Sequence, residues 1–182
     1  MLSYPRRLIK VFHPEGIPAL GTLFYNFITK TKIFQHHYDL IAEDILKYIE
    51  EGSILDVGTG PGWLLLKLHA RRPNLQITGI DISPAMVRRA KENIQKAGLS
   101  SSIEVQVANA GEMPFPDNSF DCIVSTGSLH HWKEPIKCLN EIHRILKLKQ
   151  YALIYDLVSD TPPSVLKEIA KKLGLKPEPT DI

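Results

Sequence analysis

The chain has 182 residues, a formal net charge of +2 and two cysteines, which is most simply one domain able to bury roughly 70% of its unfolded surface. That charge gives no cause to invoke nucleic acid as a partner. Cys122 and Cys138 are too few and wrongly spaced for a disulfide framework or a zinc site, so a reducing, cytoplasmic setting is expected.

Residues 1–50 precede the main pattern and form a helical segment. Leu20, Leu23, Phe24, Phe27 and Ile28 recur at helical spacing, as do Ile41, Ile45, Tyr48 and Ile49. The first apolar run is too short to span a membrane and carries no cleavage signature, so no membrane span is expected. His36 and His37 adjoin on a predicted helix and therefore diverge rather than chelate.

Ser53–Val57 is short, β-branched and apolar except for Asp56, the pattern of a strand buried on both faces of a parallel sheet. Gly58, Gly60 and Gly62 follow at once, able to turn sharply and to bare main-chain N–H groups to a ligand. From Trp63 the run WLLLKLHARR reads as a helix whose N-terminus points at the same spot and would attract an anionic group. An ordinary glycine-rich turn between strand and helix is the plainer alternative.

A second unit repeats the theme. LQITGI reads as a buried strand closed by Asp81, and SPAMVRRAKENIQKAG as a helix with Ser83 at its N-cap and Pro84 at its first position. Asp81 lies 21 residues beyond Gly60, where a carboxylate can accept hydrogen bonds from both hydroxyls of a ribose. A turn or capping role is its alternative. A dinucleotide dehydrogenase uses the same physics, but its third glycine would fall on Trp63, an indole where helix and strand must pack closest.

Pro116, Asp117 and Asn118 mark a turn before a fourth strand over residues 120–125. Its carboxyl end, residues 126–132, then lies beside the glycine turn, the edge at which doubly wound sheets bind ligands. His130 and His131 in that stretch could act as a general base near neutral pH, or could merely line the pocket and face solvent. Residues 135–148 read as a helix, 150–158 as a fifth strand and 163–173 as a last helix before a proline-bearing tail. Arg71, Arg72, Arg88, Arg89, Lys171 and Lys172 are scattered over helix faces.

The motifs ILDVGTGPG, ITGIDISPAMVRRAKEN and VQVANAGEMPFPDNSFDCIVSTGSLHHW, in this order and with the spacing D-x-G-x-G-x-G in the first, make residues 38–156 resemble the class I S-adenosylmethionine-dependent methyltransferases. The resemblance is to the small-molecule branch that includes the ubiquinone and menaquinone biosynthesis methyltransferases. It implies a doubly wound α/β fold, a Rossmann-like parallel sheet of strand order 3-2-1-4-5 with helices on both faces, and S-adenosylmethionine as cofactor. By the same comparison Gly58, Thr59 and Gly60 contact the methionyl part, Asp81 holds the ribose, and Ile82 and Met86 press on the adenine. Asn109 stands where the family commonly has an Asp that accepts a bond from the adenine amino group, with the N–H of Ala110 serving the ring. An Asn carbonyl can accept the same bond, more weakly because it is neutral, and a solvent-facing loop Asn is its alternative. Asp56 and Ser125, at the ends of the first and fourth strands, complete the expected cofactor-binding set; no catalytic residue is assigned.

The resemblance divides the single domain into a helical lid over residues 1–50, a cofactor-binding core over 51–160 and a C-terminal helix and tail over 161–182. The lid would close over a small-molecule acceptor, although simple packing on the sheet has the same sequence pattern. Two departures accompany it. Leu148, Lys149 and Gln150 replace the usual Pro-Gly-Gly turn, and nothing after the fifth strand supplies the family's closing hairpin, so the chain reads as truncated there with a bare fifth-strand edge open to self-association. The expected reaction is methyl transfer by in-line displacement. The alternative is a catalytically silent module that binds S-adenosylmethionine or a partner. Methylation of nucleic-acid bases is disfavoured because no Asn-Pro-Pro-Tyr-like motif follows the fourth strand.

Overall fold

The computed structural model describes residues 32–156. The helices read over residues 20–28 and 163–173, and the tail, lie outside them.

Five strands form one parallel sheet in the order β3-β2-β1-β4-β5. They are β1 (Ser53–Val57), β2 (Gln76–Asp81), β3 (Ile103–Val107), β4 (Phe120–Thr126) and β5 (Leu146–Tyr155). The helices are α1 (Lys32–Ile45), α2 (Trp63–Arg71), α3 (Pro84–Lys96) and α4 (Pro135–Ile145). The chain leaves β1 toward β2 on one side and returns at β4 on the other. A crevice therefore opens between the carboxyl ends of β1 and β4, where such sheets take their ligands.

Side-chain alternation along the strands builds one core on each face. Ile54, Ile77, Cys122 and Val124 face α1, α2 and α3, against Ile41, Ile45, Leu65, Leu68 and Ala90. Leu55, Val57, Ile80 and Ile123 face α4, against Ile142 and Ile145. Ser83 caps α3 as the sequence indicates, its side chain accepting the Met86 N–H, with Pro84 at the first helical position.

The amino ends of β1, β4 and β5 are tied by polar contacts. Asp121 accepts the Ser53 N–H at 2.9 Å and the Lys147 ammonium at 2.8 Å. The helix expected over 41–49 begins earlier, at Lys32, and ends at Ile45, leaving Tyr48 exposed and tilted against Tyr151 at 5.1 Å. Within the described residues this segment packs on the core: Asp39 pairs with Arg71 at 2.8 Å, and Tyr155 donates its hydroxyl to Asp44 at 2.8 Å.

The α4–β5 junction differs from the expectation. The helix stops at Ile145 and the strand begins at Leu146 rather than residue 150. Leu146 already pairs with Phe120 and Tyr151 with Cys122, so the intervening residues bulge, with Lys149 at φ 63°. A left-handed residue does here what a glycine turn would do more cheaply. Among the described residues β5 is the outer strand, with Leu148, Tyr151 and Ile154 exposed. No helix among them is long and apolar enough to cross a membrane.

Candidate functional site

A cavity of about 700 Å3 opens at the carboxyl ends of β1, β2 and β4. Of the ten residues expected to bind a cofactor, Gly58, Gly60, Asp81, Ile82, Met86, Asn109 and Ala110 line it. Asp56, Thr59 and Ser125 do not.

The glycine turn is shaped by close approach. Gly58 has φ 80°, and a Cβ there would overlap Cβ and Oγ of Ser128. Ser128 is in turn held by three polar partners: it donates to Val57 O at 3.2 Å, lies 3.0 Å from Ser125 Oγ, and accepts the Trp132 indole N–H at 3.1 Å. Ser125 thus buttresses Ser128 from beneath instead of meeting the cavity.

The amide hydrogens of the turn are not bared. Gly58 and Thr59 both donate to Ile80 O at 2.9 Å, Gly60 to Asp81 Oδ2 at 2.9 Å, and Gly62 to Thr59 O at 3.0 Å. Buried N–H groups seek partners, and the adjoining end of β2 supplies them. The carbonyls of Gly58 and Gly60 accept no hydrogen bond among the described residues, so the turn offers acceptors, which suit a cationic group. The first turn of α2 does not line the cavity either, so the anionic group expected at that helix end has no place in it.

Asp81 closes β2 at the cavity wall and is 9% exposed. Each carboxylate oxygen accepts one backbone N–H, Oδ2 from Gly60 at 2.9 Å and Oδ1 from Ser83 at 2.8 Å. A lone pair on each oxygen remains for a pair of ligand hydroxyls. Burial raises the Asp81 pKa, and the two N–H donors hold part of that rise back.

Asp56 sits elsewhere for a simple reason. Residues two apart on a strand share a face, so Asp56 follows Ile54 onto the face covered by α2. It is 2% exposed and lines a small void of about 10 Å3 under the turn, with Thr59 and Thr126. Asp56 Oδ1, Thr59 Oγ1 and Thr126 Oγ1 are all buried there without a hydrogen bond. Burial pushes the Asp56 pKa up to about 7; the facing Thr59 hydroxyl tempers the rise and the nearby Asp81 charge adds to it.

Beyond Asp81 along the cavity wall, Ile82 and Met86 present apolar surface and Met86 is fully buried. Asn109 lines the same wall, but its Oδ1 accepts the Gly111 N–H at 2.8 Å. That closes an Asx turn and leaves one carbonyl lone pair for a ligand.

The opposite end of the cavity was only partly legible. His130 and His131, in a 3₁₀ turn over Leu129–His131, line it with ring centroids 4.0 Å apart and planes tilted by 45°. His37 and Tyr38 from α1 and Tyr155 and Asp156 from the end of β5 join them. Burial, then the neighbouring His36, lowers the His37 pKa. No group of three or more His, Cys, Asp or Glu among the described residues could hold a metal ion.

Comparison with known proteins agrees with this architecture. The chain is 33% identical over 135 residues to a ubiquinone/menaquinone biosynthesis C-methyltransferase of Geotalea uraniireducens, covering 72% of this chain and 57% of that protein. It spans about half the length of such curated relatives. Among solved structures, a candidate S-adenosyl-L-methionine-dependent methyltransferase from Methanococcus maripaludis superposes with TM-score 0.74 at 30% identity, over 87% of this chain and 75% of that one. A SAM-dependent methyltransferase from Aquifex aeolicus gives TM-score 0.65 at 25% identity, over 88% of this chain and 90% of that one. The family model described as a methyltransferase domain matches residues 55–154, more than half of the chain, beginning within β1 and ending within β5, and the protein belongs to that family.

Proposed function

We propose that the protein binds S-adenosylmethionine across the carboxyl ends of β1, β2 and β4 and transfers its methyl group to a small, uncharged, planar acceptor. One observation carries the reading: Asp81, held by Gly60 and Ser83, keeps one lone pair per oxygen beside a cavity whose next wall is Ile82 and Met86. A diol followed by a flat base fits that order.

The remaining polar features fit the other end of the same molecule. The free carbonyls of Gly58 and Gly60 suit an ammonium group. When bound, the cofactor supplies an electrophilic methyl group on a sulfonium centre. The chain's own part is to fix alignment and exclude water, which are the main levers for a displacement of this kind.

The acceptor class follows from the lining. Among the described residues no Lys or Arg lines the cavity, so no ammonium or guanidinium there favours an anionic acceptor. Trp132, Tyr38 and the adjoining histidines favour a flat, weakly polar molecule. The similarity to ubiquinone/menaquinone biosynthesis C-methyltransferases supports a quinone-related acceptor.

The test is transfer of label from methyl-labelled S-adenosylmethionine to a panel of naphthols and hydroquinones. Labelled product that disappears with Asp81→Ala supports the reading. Binding of S-adenosylhomocysteine without transfer to any of them points instead to a silent binding module.

A further inference from the structure

We infer that His130, oriented by Asp156, takes the proton from an acidic hydroxyl of the acceptor. This rests on the proposed methyl transfer and names a residue and an acceptor property that it leaves open.

The two residues follow adjacent parallel strands, β4 and β5, and meet at the mouth of the cavity. His130 Nδ1 lies 2.7 Å from Asp156 Oδ1, and the His130 backbone N–H donates to Asp156 Oδ2 at 3.2 Å. The carboxylate thus spans ring and main chain and fixes the imidazole from both. Its side chain is 12% exposed while that of His130 is 44% exposed, so the acid is the sheltered partner and the ring the accessible one.

This arrangement selects a tautomer. A carboxylate beside Nδ1 keeps the proton there, leaving Nε2 with a lone pair, and it stabilises the imidazolium once Nε2 is protonated. Competing groups are accounted for. Tyr155 gives its hydroxyl to Asp44, the His37 pKa is lowered by burial and by His36, and Asp81 is bound to the glycine turn. His131 lies tilted against the His130 ring, and Tyr38 and Cys138 also line the cavity.

The balance is simple. The acceptor O–H bond breaks, the proton goes to His130 Nε2, and the electron pair stays on the acceptor's oxygen and conjugated ring. The bond from that oxygen to the methyl group then forms as the methyl–sulfur bond breaks, its pair going to sulfur. A base of this kind is needed only for an acceptor that is un-ionised at working pH. The substrate is therefore a weakly acidic hydroxyarene, not a pre-formed anion or an amine.

The experiment compares two acceptors with methyl-labelled S-adenosylmethionine at a pH between their own pKa values: 1-naphthol, protonated there, and 4-nitrophenol, already ionised. His130→Gln is expected to lose about 100-fold in turnover on 1-naphthol, and at least tenfold less of that loss on 4-nitrophenol. Asp156→Asn, the positioning residue, should lower kcat on 1-naphthol about tenfold with KM little changed. Equal losses on both acceptors would mark a structural role and overturn the inference, as would undiminished turnover on 1-naphthol. Wild-type protein that transfers to neither acceptor removes the methyl-transfer reading and this inference with it. Transfer that is indifferent to His130 removes only the inference.

Discussion

Asp81 accepts the backbone N–H of Gly60 at 2.9 Å, across 21 residues of sequence. The carboxylate that faces the cavity is therefore also the tether that shapes the glycine turn, and binding and turn geometry are one structural unit. Asp81→Ala should leave two buried N–H groups, those of Gly60 and Ser83, without partners. We expect a loss of about 2–4 kcal/mol in chemical denaturation. The local signature is faster exchange of the Gly60 amide; an unchanged exchange rate would show that the turn holds itself.

Asp56 gives a stability effect whose sign depends on pH. Its folded pKa of about 7 exceeds that of an ordinary carboxylate. The folded state is thus favoured while the group is protonated, and that contribution is lost as pH rises from about 4 to about 7. The amount is on the order of 4 kcal/mol before relaxation. Asp56→Asn should raise the melting temperature above about pH 7 and change it little near pH 4.

Gly58 and Ser128 occupy one space. Gly58→Ala would put a methyl group into Ser128 and force φ 80° on a residue with a side chain. A loss of at least about 2 kcal/mol is expected. Adding Ser128→Gly should recover the overlap but not the backbone cost of roughly 1–2 kcal/mol. Thermal unfolding of the single and double variants separates the two; full recovery would mean that the backbone was unstrained.

Lys149 carries φ 63° in the bulge between α4 and β5. Lys149→Gly removes a left-handed penalty of about 1–2 kcal/mol and adds up to about 1 kcal/mol of freedom to the unfolded chain. A net gain of about 0.5 kcal/mol should appear as a higher denaturant midpoint with an unchanged slope.

What was legible in the sequence was local. The limits of β1, the Ser83 cap and Pro84 at the first position of α3 depend on a few neighbouring residues, and all three stand as read. Asp56 could have been placed better from the same information. Its two-residue spacing from Ile54 already puts it on the face covered by α2. The spent amides of the glycine turn were not legible, because they depend on where Ile80 and Asp81 come to rest.

Long-range contacts account for the other omissions. Ser128 against Gly58, Asn93 holding Pro61 O at 2.9 Å and Asp156 on His130 join residues far apart in sequence, and no periodicity announces them. The α4–β5 boundary was misread because LKLKQ lacks turn residues. The structure resolves the conflict by straining Lys149 instead of inserting a loop.

Calorimetric titration of the protein with S-adenosylhomocysteine tests the central claim most directly. One molecule should bind per chain in the micromolar range, about −8 kcal/mol, and Asp81→Ala should weaken binding by about 2–4 kcal/mol through loss of the two hydroxyl contacts to a charged acceptor. Equal affinity in the folded variant, or no heat of binding to the wild type, would contradict the account.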